Sequence, residues 1–383
     1  MLPTHVLLNN AAGINITFDC KNDEARLVTN KDEAECPEKR FRFALRSACD
    51  FCKQGMLRLL SSPDKAILCL AAGIAFTAFV AVANELSPHE PITPVPLETK
   101  LDQHKVALGG KLFNDSRLSA GNGLACSSCH LTHLGMADGL ALSRGVPGNP
   151  GVLNTPTLFN VGLNSKYTWS GRLLSLEQQA HSVVESKTAM ATRWEEVLNR
   201  LKNDSSLVAE FATIYPGGIQ QDSVVDALAN FQRSLNTPNA PFDRYLRGEA
   251  DAISPEAKAG YKMFKDFGCI SCHQGVNIGG NMLQIFGIFG KPTSAAQGDS
   301  TPGAAPESGI SDDRPVFRVP SLRNIAHTAP YFHDGSAQTL EEAIGVMASH
   351  QLGRTLTADD TGKLAEFLRT LTGEYQGTSL DDR

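Results

Sequence analysis

The sequence predicts an all-α protein made of two similar helical units joined by long irregular loops. Apolar residues recur at three-to-four spacing, almost no stretch after residue 84 alternates like a strand, and one five-residue string occurs twice. At 383 residues the chain is long enough for two modest domains. Its 33 glycines and 20 prolines predict the loops.

Several of the predicted helices begin with residues that cap helices well. Ser254 precedes Pro255, and Thr357 precedes Asp359 and Asp360. A proline at the first helical position and a hydroxyl before an acidic first turn are both helix-start signals. The predicted helices cover residues 101–113, 192–201, 223–235, 255–267, 340–350 and 357–371.

Proline and glycine usage predicts the domain boundaries. Two prolines within 236–243 predict the link between the helical units, so the first unit spans 84–243 and the second 244–383. The Gly-, Ser-, Ala- and Pro-rich stretch 291–315 predicts a long surface loop inside the second unit. Each unit then contains one copy of the repeated string.

The repeated string places two cysteines and a histidine together. It reads Cys-Ser-Ser-Cys-His at 126–130 and Cys-Ile-Ser-Cys-His at 269–273. Two cysteines a turn apart can reach both vinyl groups of one porphyrin, and the adjacent histidine can coordinate its iron. The pattern predicts two covalently bound haems c. Cys126, Cys129, Cys269 and Cys272 would attach them, and His130 and His273 would ligate iron.

Zinc binding and a redox disulfide are the alternative interpretations of the string. Zinc would need a second ligand pair at finger-like spacing around each motif. A thioredoxin-type cysteine pair would not need a histidine immediately after it in both copies. Haem attachment is therefore favoured.

An apolar segment near the N-terminus predicts export. Residues 66–83 are continuously apolar, follow Lys65 and end in Ala-Val-Ala, as in a signal peptide or an uncleaved anchor. We expect Met56 to be the true start, so 56–83 is the signal and 1–55 is an unassigned, untranslated or disordered extension. The haem units are then periplasmic, either soluble or tethered. A net charge of -6 gives no basic footprint for nucleic acid.

An ordered series of motifs resembles the bacterial dihaem cytochrome c peroxidases and their methylamine-utilisation (MauG-like) oxidase relatives. The series is KLFNDSRLS, NTPTLFNVGLN, TWSGR, GGNM, VPSLRNIAHTAPYFHDGS and EEAIGVMASHQLGR, and it runs from about Leu108 to the C-terminus. The resemblance implies two cytochrome c-like domains facing each other. The N-terminal haem would react with peroxide and the C-terminal haem would transfer electrons.

The resemblance assigns roles to Met347 and Trp169. Met347 falls where the family places the thioether ligand opposite His273, whereas the methylamine-type oxidases have tyrosine there. A thioether raises the haem potential, as an electron-accepting haem requires. Trp169 matches the tryptophan between the two haems. Core packing is the alternative for both side chains.

Further matches concern calcium and the haem carboxylates. Asn154, Thr328 and Pro330 match the oxygen ligands of a calcium ion between the domains, although Asn-Thr-Pro-Thr alone is only a turn signal. Arg172 at the first haem and Arg323 at the second are candidate propionate partners. His333 also matches and is expected to help organise the second pocket.

Two departures from the family pattern concern the first haem. Val146 stands where many of these peroxidases carry a histidine that blocks the iron until reduction, so we expect an open, high-spin iron. Ala189 stands where the family has the distal glutamate that shuttles a proton. If residues 185–189 are helical, Glu185 shares a face with Ala189 and is a candidate replacement, with His181 weaker. A solvated surface glutamate is the alternative.

The sequence therefore predicts an exported dihaem peroxidase-like oxidoreductase. It would reduce hydrogen peroxide with electrons delivered through the Met347-ligated haem from a small cytochrome c or copper protein. The rival interpretation is a MauG-like oxidase that withdraws electrons from a protein or organic substrate through Trp169, and the third is a non-catalytic electron carrier or peroxide sensor. A homodimer is compatible with the sequence.

Overall fold

The chain divides into two compact units, Met1–Glu85 and Leu86–Arg383. The structure is a computed structural model that describes residues 5–9, 15–19, 24–28, 90–290 and 316–382.

The N-terminal unit contains a three-stranded antiparallel sheet. Its strands are β1 (His5–Asn9), β2 (Asn15–Asp19) and β3 (Glu24–Val28), in the order β1-β2-β3. This sheet lies within residues 1–55, for which the sequence predicted no helix or strand. The predicted export segment, 66–83, lies outside the described residues.

The second unit is mostly helical, which agrees with the predicted all-α class, while the facing arrangement of two haem domains stays a prediction. In its described part the strands form only two short antiparallel pairs, β4 with β5 and β6 with β7. None of the described helices is both long and apolar enough to cross a membrane. The elements are α1 (Gln103–Phe113), α2 (Leu176–Glu185), α3 (Trp194–Lys202), α4 (Ser205–Ile214), α5 (Gln221–Ser234), α6 (Pro241–Leu246), α7 (Pro255–Asp266), β4 (Leu283–Ile285), β5 (Val316–Arg318), α8 (Leu340–Val346), α9 (Ala358–Arg369), β6 (Glu374–Tyr375) and β7 (Thr378–Ser379).

The predicted helices and caps are found within a few residues of their expected bounds. The Ser254 hydroxyl accepts a hydrogen bond from the Ala257 N–H, and Thr357 forms a capping box with Asp360. Three helices, α2, α4 and α6, were not predicted. Helix α6 begins at Pro241, inside the predicted link, because proline is well suited to a first helical turn. The predicted loop at 291–315 lies outside the described residues.

The first hydrophobic core forms where α1 crosses α5. At Gly109 the two helices approach so closely that a Cβ atom would lie 2.0 Å from the Ala227 carbonyl oxygen. Leu108 and Leu112 on α1 and Leu228 on α5 are buried in this core. Leu380, near the end of the chain, also packs into it.

The second core repeats this arrangement with α7 and α9. A Cβ atom at Gly260 would lie 1.9 Å from the Lys363 carbonyl oxygen, and Phe264 and Phe367 fill the space beside the crossing. Ile92 packs into this second core. Both ends of the described unit thus pack against the core that is more distant in sequence, while the domain boundaries at 243 and 244 stay a prediction.

Buried polar side chains join the two halves of the unit. The Asn160 side chain exchanges hydrogen bonds with Thr237, its Nδ2 donating to Oγ1 (2.7 Å) and its Oδ1 accepting from the Thr237 N–H (2.8 Å). Asn324 Nδ2 donates to the same Thr237 hydroxyl at 2.9 Å, and Asn277 Nδ2 donates to the Asn160 carbonyl at 3.1 Å. Because buried polar groups are stable only when paired, this network restricts how the halves can pack.

The glycine crossing yields a stability prediction. Gly260→Ala forces a methyl group onto the Lys363 carbonyl, and overpacking of this kind typically costs about 1–3 kcal/mol. Gly362→Ala on α9 is the matched control, because a Cβ atom there meets nothing within 4 Å and alanine favours helix. We expect Gly260→Ala to lower the midpoint of thermal unfolding and Gly362→Ala to keep or raise it. Equal midpoints would show that the close crossing is not needed.

Candidate functional site

Each repeated string folds into the same tight turn. Residues Cys126–Ser128 and Cys269–Ser271 form single 3₁₀ turns. In both, the histidine N–H donates to the carbonyl of the first cysteine at 3.0 Å, for His130 to Cys126 and for His273 to Cys269. All four cysteines are free, so neither pair forms a disulfide.

Both histidines are prepared to act as metal ligands. Nδ1 of His130 lies 2.9 Å from the Met136 carbonyl oxygen, and Nδ1 of His273 lies 3.2 Å from that of Ile278. A carbonyl only accepts, so Nδ1 carries the proton and Nε2 keeps its lone pair for a metal. Burial lowers the pKa of His130 and lowers the pKa of His273 to about 4, which keeps both imidazoles neutral near pH 7.

The cysteines are poorly suited to thiol chemistry. Burial raises the pKa of Cys126 to about 12 and the pKa of Cys269 to about 11, so both thiols are protonated at neutral pH. In the described part of the chain, no three or more His, Cys, Asp or Glu side chains converge on a metal-sized point. The zinc and redox-disulfide interpretations therefore gain no support from these residues.

A large cavity opens beside the second string. The cavity volume is about 220 Å³. On the same measure a single buried water needs only about 10–15 Å³. The cavity lining includes Cys269, Cys272, His273 and Met347. Most of the remaining lining is apolar, which suits a flat hydrophobic group. The lining includes none of the first string's residues.

Met347 sits at a break in helical regularity. Helix α8 ends at Val346, and residues Met347–Gln351 continue as a π-helix. Such π segments are rare, and many of those that occur lie at functional sites. Gln351 fixes this one by accepting from the Gly287 N–H (3.0 Å) and donating to the Ile285 carbonyl (3.1 Å). The structure thus brings Met347 and His273 to the same cavity, and ligation by Met347 stays a prediction.

Trp169 lies at the contact between the halves. Its indole Nε1–H donates to the Asn154 carbonyl at 2.9 Å, and its ring meets His333 edge-on with centroids 6.3 Å apart. His333 in turn stacks on Phe317 at 4.3 Å, and burial lowers its pKa. Trp169 and His333 both line the cavity of His273 and Met347. The aromatic group therefore connects residues from both halves of the chain.

The three predicted calcium ligands also line this cavity. Asn154 Nδ2 donates to the Leu140 carbonyl (2.8 Å) and to the Pro330 carbonyl (3.3 Å), and Thr328 lies nearby on the lining. Uncharged oxygens of this kind suit a hard cation that completes its shell with water. The Asn154 amide would have to turn over, so that its oxygen rather than its nitrogen faces Pro330.

Arg323 is not where the propionate prediction placed it. Its guanidinium is 1% exposed and pairs with Asp243 at 2.6 Å, while its other nitrogens donate to the carbonyls of Val276 and Thr93 (both 3.0 Å). All three guanidinium nitrogens of Arg323 therefore donate hydrogen bonds within the protein, and Arg323 does not line the cavity. The propionate assignment of Arg323 is wrong, because the side chain is committed to a buried ion pair. Arg172 is exposed, and its role at the first haem stays a prediction.

Arg318 is a buried residue of the cavity that no sequence pattern indicated. This arginine ends β5, is 6% exposed and lines the cavity, where Arg323 was expected. Arg354 also lines it, stacked over the Phe267 ring at 5.1 Å, but is exposed. Arg318 lies in the same VPSLRN neighbourhood as Arg323. A three-residue strand is too short for alternation to show which side chain faces a cavity.

The residues that depart from the family pattern lie around the first string. Val146 is buried in a turn closed by the Asn149 N–H donating to its carbonyl. The premise for Glu185 is wrong, because α2 ends at Glu185 and Ser186 leaves with extended backbone angles. Glu185 is exposed and does not share a helical face with Ala189, which lies half-buried in the following turn. Glu185 therefore has no structural support as a replacement acid.

The fold and the site together define a class. A mostly helical unit with two Cys-X-X-Cys-His turns, two neutral imidazoles and a thioether lining the same cavity as one of them is typical of c-type redox proteins. The family model described as "Di-haem cytochrome c peroxidase" matches residues 103–251.

Comparison with known proteins identifies the family. A cytochrome c551 peroxidase of Nitrosomonas europaea is 34% identical over 80% of this chain and 91% of that protein. A cytochrome c peroxidase of Escherichia coli is 37% identical over 76% of this chain, which spans only 64% of that protein. The chain belongs to the di-haem cytochrome c peroxidase family of oxidoreductases, as predicted. The di-haem family implies two haems c.

A solved structure supports the fold. A MauG-like protein associated with microbial copper homeostasis superposes with a TM-score of 0.62 and 29% identity, covering 76% of this chain and 95% of that one. Both branches named by the sequence resemblance, the peroxidases and the MauG-like proteins, are therefore among the similar proteins.

Proposed function

We propose that the chain is an exported dihaem peroxidase that reduces hydrogen peroxide with electrons from a small cytochrome c or copper protein. The observation that carries this proposal is the cavity shared by His273, Met347 and Trp169. A histidine and a thioether facing each other suit an electron-accepting haem, whereas a tyrosine would favour the oxidase branch. The peroxidase names of the relatives agree with this choice.

The two haem domains would be 84–243, holding the peroxidatic centre, and 244–383, holding the electron-transfer centre. Their separate hydrophobic cores and the polar network between them support two domains facing each other. Export rests on the apolar run at 66–83 in the sequence.

The residues present fit the two cofactors. Cys126 and Cys129 would hold one haem and Cys269 and Cys272 the other, and bound haems supply peroxide reduction and electron transfer. His130 and His273 keep Nε2 free for iron by donating from Nδ1 to carbonyl groups. Trp169, fixed by its bond to the Asn154 carbonyl, holds an aromatic ring between the halves.

We also propose calcium between the halves, bound by the Asn154 side chain and the carbonyls of Thr328 and Pro330. Its role would be to hold the Trp169 segment, since Asn154 accepts the indole hydrogen bond. Calcium titration of chelator-treated protein by calorimetry tests this, and absence of binding at millimolar calcium would refute it.

The functional test is stopped-flow absorption of the haem-loaded protein mixed with hydrogen peroxide and a reduced small cytochrome. Because Val146 cannot ligate iron, we expect an open, high-spin first centre that reacts without prior reduction. Catalytic oxidation of the cytochrome supports the peroxidase. Peroxide consumption without cytochrome turnover would favour the MauG-like oxidase, and an open centre that binds cyanide but never consumes peroxide would favour a carrier or sensor.

Met347 ligation can be tested by substitution. Met347→Ala should convert the second centre from low spin to high spin and lower its reduction potential, because the thioether is lost. Met263→Ala is the matched control, since Met263 packs against the second core but does not line the cavity. A Met347→Ala protein with an unchanged low-spin spectrum would contradict ligation.

Ala189 predicts that proton delivery limits peroxide turnover. A positioned acid or base contributes about 10²–10⁴-fold to such reactions, so Ala189→Glu should raise the rate with peroxide by at least about tenfold. Thr188→Glu, one residue earlier in the same turn, is the control for added charge. If Ala189→Glu leaves the second-order rate constant unchanged, proton delivery at this position is not limiting.

A further inference from the structure

Arg318 is held against the Trp169 segment by its backbone and its side chain. Its backbone N–H donates to the Trp169 carbonyl at 2.8 Å, and its Nε–H donates to the Thr168 carbonyl at 2.9 Å. Gly171 is packed so tightly on this strand pair that a Cβ atom there would lie 2.4 Å from Leu283 Cδ2. Arg318 therefore has little freedom to leave its place on the cavity lining.

The guanidinium of Arg318 carries a buried charge with an unusual environment. Burial lowers its pKa to about 10, which leaves it protonated at neutral pH. Within residues 90–290 and 316–382, no aspartate or glutamate forms an ion pair with it, whereas the buried Arg323 has Asp243. Because a buried charge is strongly unfavourable without an opposite charge, an anion bound in the cavity would stabilise this guanidinium.

The position of Arg318 selects the chemistry of that anion. The same cavity is lined by His273 and Met347, the candidate ligands of the second haem. A c-type haem carries two propionate carboxylates, and a guanidinium can bind a carboxylate through two parallel hydrogen bonds. The Nε–H already donates to the Thr168 carbonyl, so the terminal nitrogens are the donors left for such a group.

We propose that Arg318 is a positioning residue that binds a carboxylate of the second haem and raises the reduction potential of that centre. The proposal rests on the haem assignment made under Proposed function. A fixed positive charge stabilises the reduced form, which carries one positive charge less, and the effect is strong where water is excluded. Through its side-chain bond to the Thr168 carbonyl and its backbone bond to the Trp169 carbonyl, Arg318 would tie the haem edge to the aromatic contact between the halves.

The test is a spectroelectrochemical titration of the second centre in purified, haem-loaded variants. Arg318→Gln and Arg318→Met remove the charge, and methionine provides an unbranched apolar stem if glutamine fails to fold. Arg318→Lys keeps the charge. Arg369→Gln is the matched control, because it removes an exposed arginine from the same half of the chain.

We expect the two neutral variants to shift the reduction equilibrium by at least about tenfold toward the oxidised form, or about 59 mV for one electron. Arg318→Lys and Arg369→Gln should stay close to the unsubstituted protein. Equal potentials in all variants would overturn the proposal. So would a lower unfolding temperature without a change in potential, since that marks a purely structural role, and so would an Arg318→Lys potential as low as that of the neutral variants.

This test separates the proposal from the proposed function. If the unsubstituted protein does not turn over peroxide but the neutral variants lower the potential, the peroxidase assignment fails and the role of Arg318 stands. If peroxide turnover is found and the potentials are equal, the peroxidase assignment stands and the proposed role of Arg318 fails. Haem content, measured on each variant, shows whether the centre compared is the same one.

Discussion

The buried hydrogen bonds around Thr237 are the constraint on which the rest of the second unit depends. Thr237 lies between the two hydrophobic cores. Its hydroxyl accepts hydrogen bonds from Asn160 of one half and Asn324 of the other, and its N–H donates to Asn160 Oδ1. Removing one partner would leave the others buried and unpaired, so the halves can pack in few ways. The cavity needs this fixed packing, because Trp169 reaches it from one half and Met347 from the other.

The two halves of the second unit contain the same local backbone features at the same spacing, so this unit contains a structural repeat. Asn160 and Asn324 both adopt the left-handed conformation before a 3₁₀ turn, and Tyr167 and Tyr331 follow at the same spacing, each closing a bridge. Helices α2 and α8 then begin at equivalent positions. The residue of α2 equivalent to Met347 is Val183, which cannot ligate iron. On the proposed assignments, the same scaffold would supply a haem ligand, Met347, in one half and none from this position in the other.

Much of the fold and part of the site could be predicted from the sequence, for reasons specific to each element. The Cys-X-X-Cys-His strings and the capped amphipathic helices are local signals, and the structure has both. The ion pair of Arg323 with Asp243 and the exposure of Arg318 to the cavity depend on contacts between distant segments, which local patterns do not contain. The error at Glu185 had a local cause: the helix ends at that residue, and spacing alone could not show where.

On the proposed assignments, the centre around His273 has more of the residues that its role requires than the centre around His130. A thioether, a buried positive charge and an apolar cavity all favour the reduced form of a haem, and Met347 and Arg318 supply the first two. The side around His130 differs, because Val146 could not ligate a bound iron and Ala189 could not move a proton. A protein so arranged receives electrons readily and transfers protons slowly. Control of its rate then lies in proton delivery at the first centre, so a change of electron donor should affect turnover less than a carboxylate restored beside Met190.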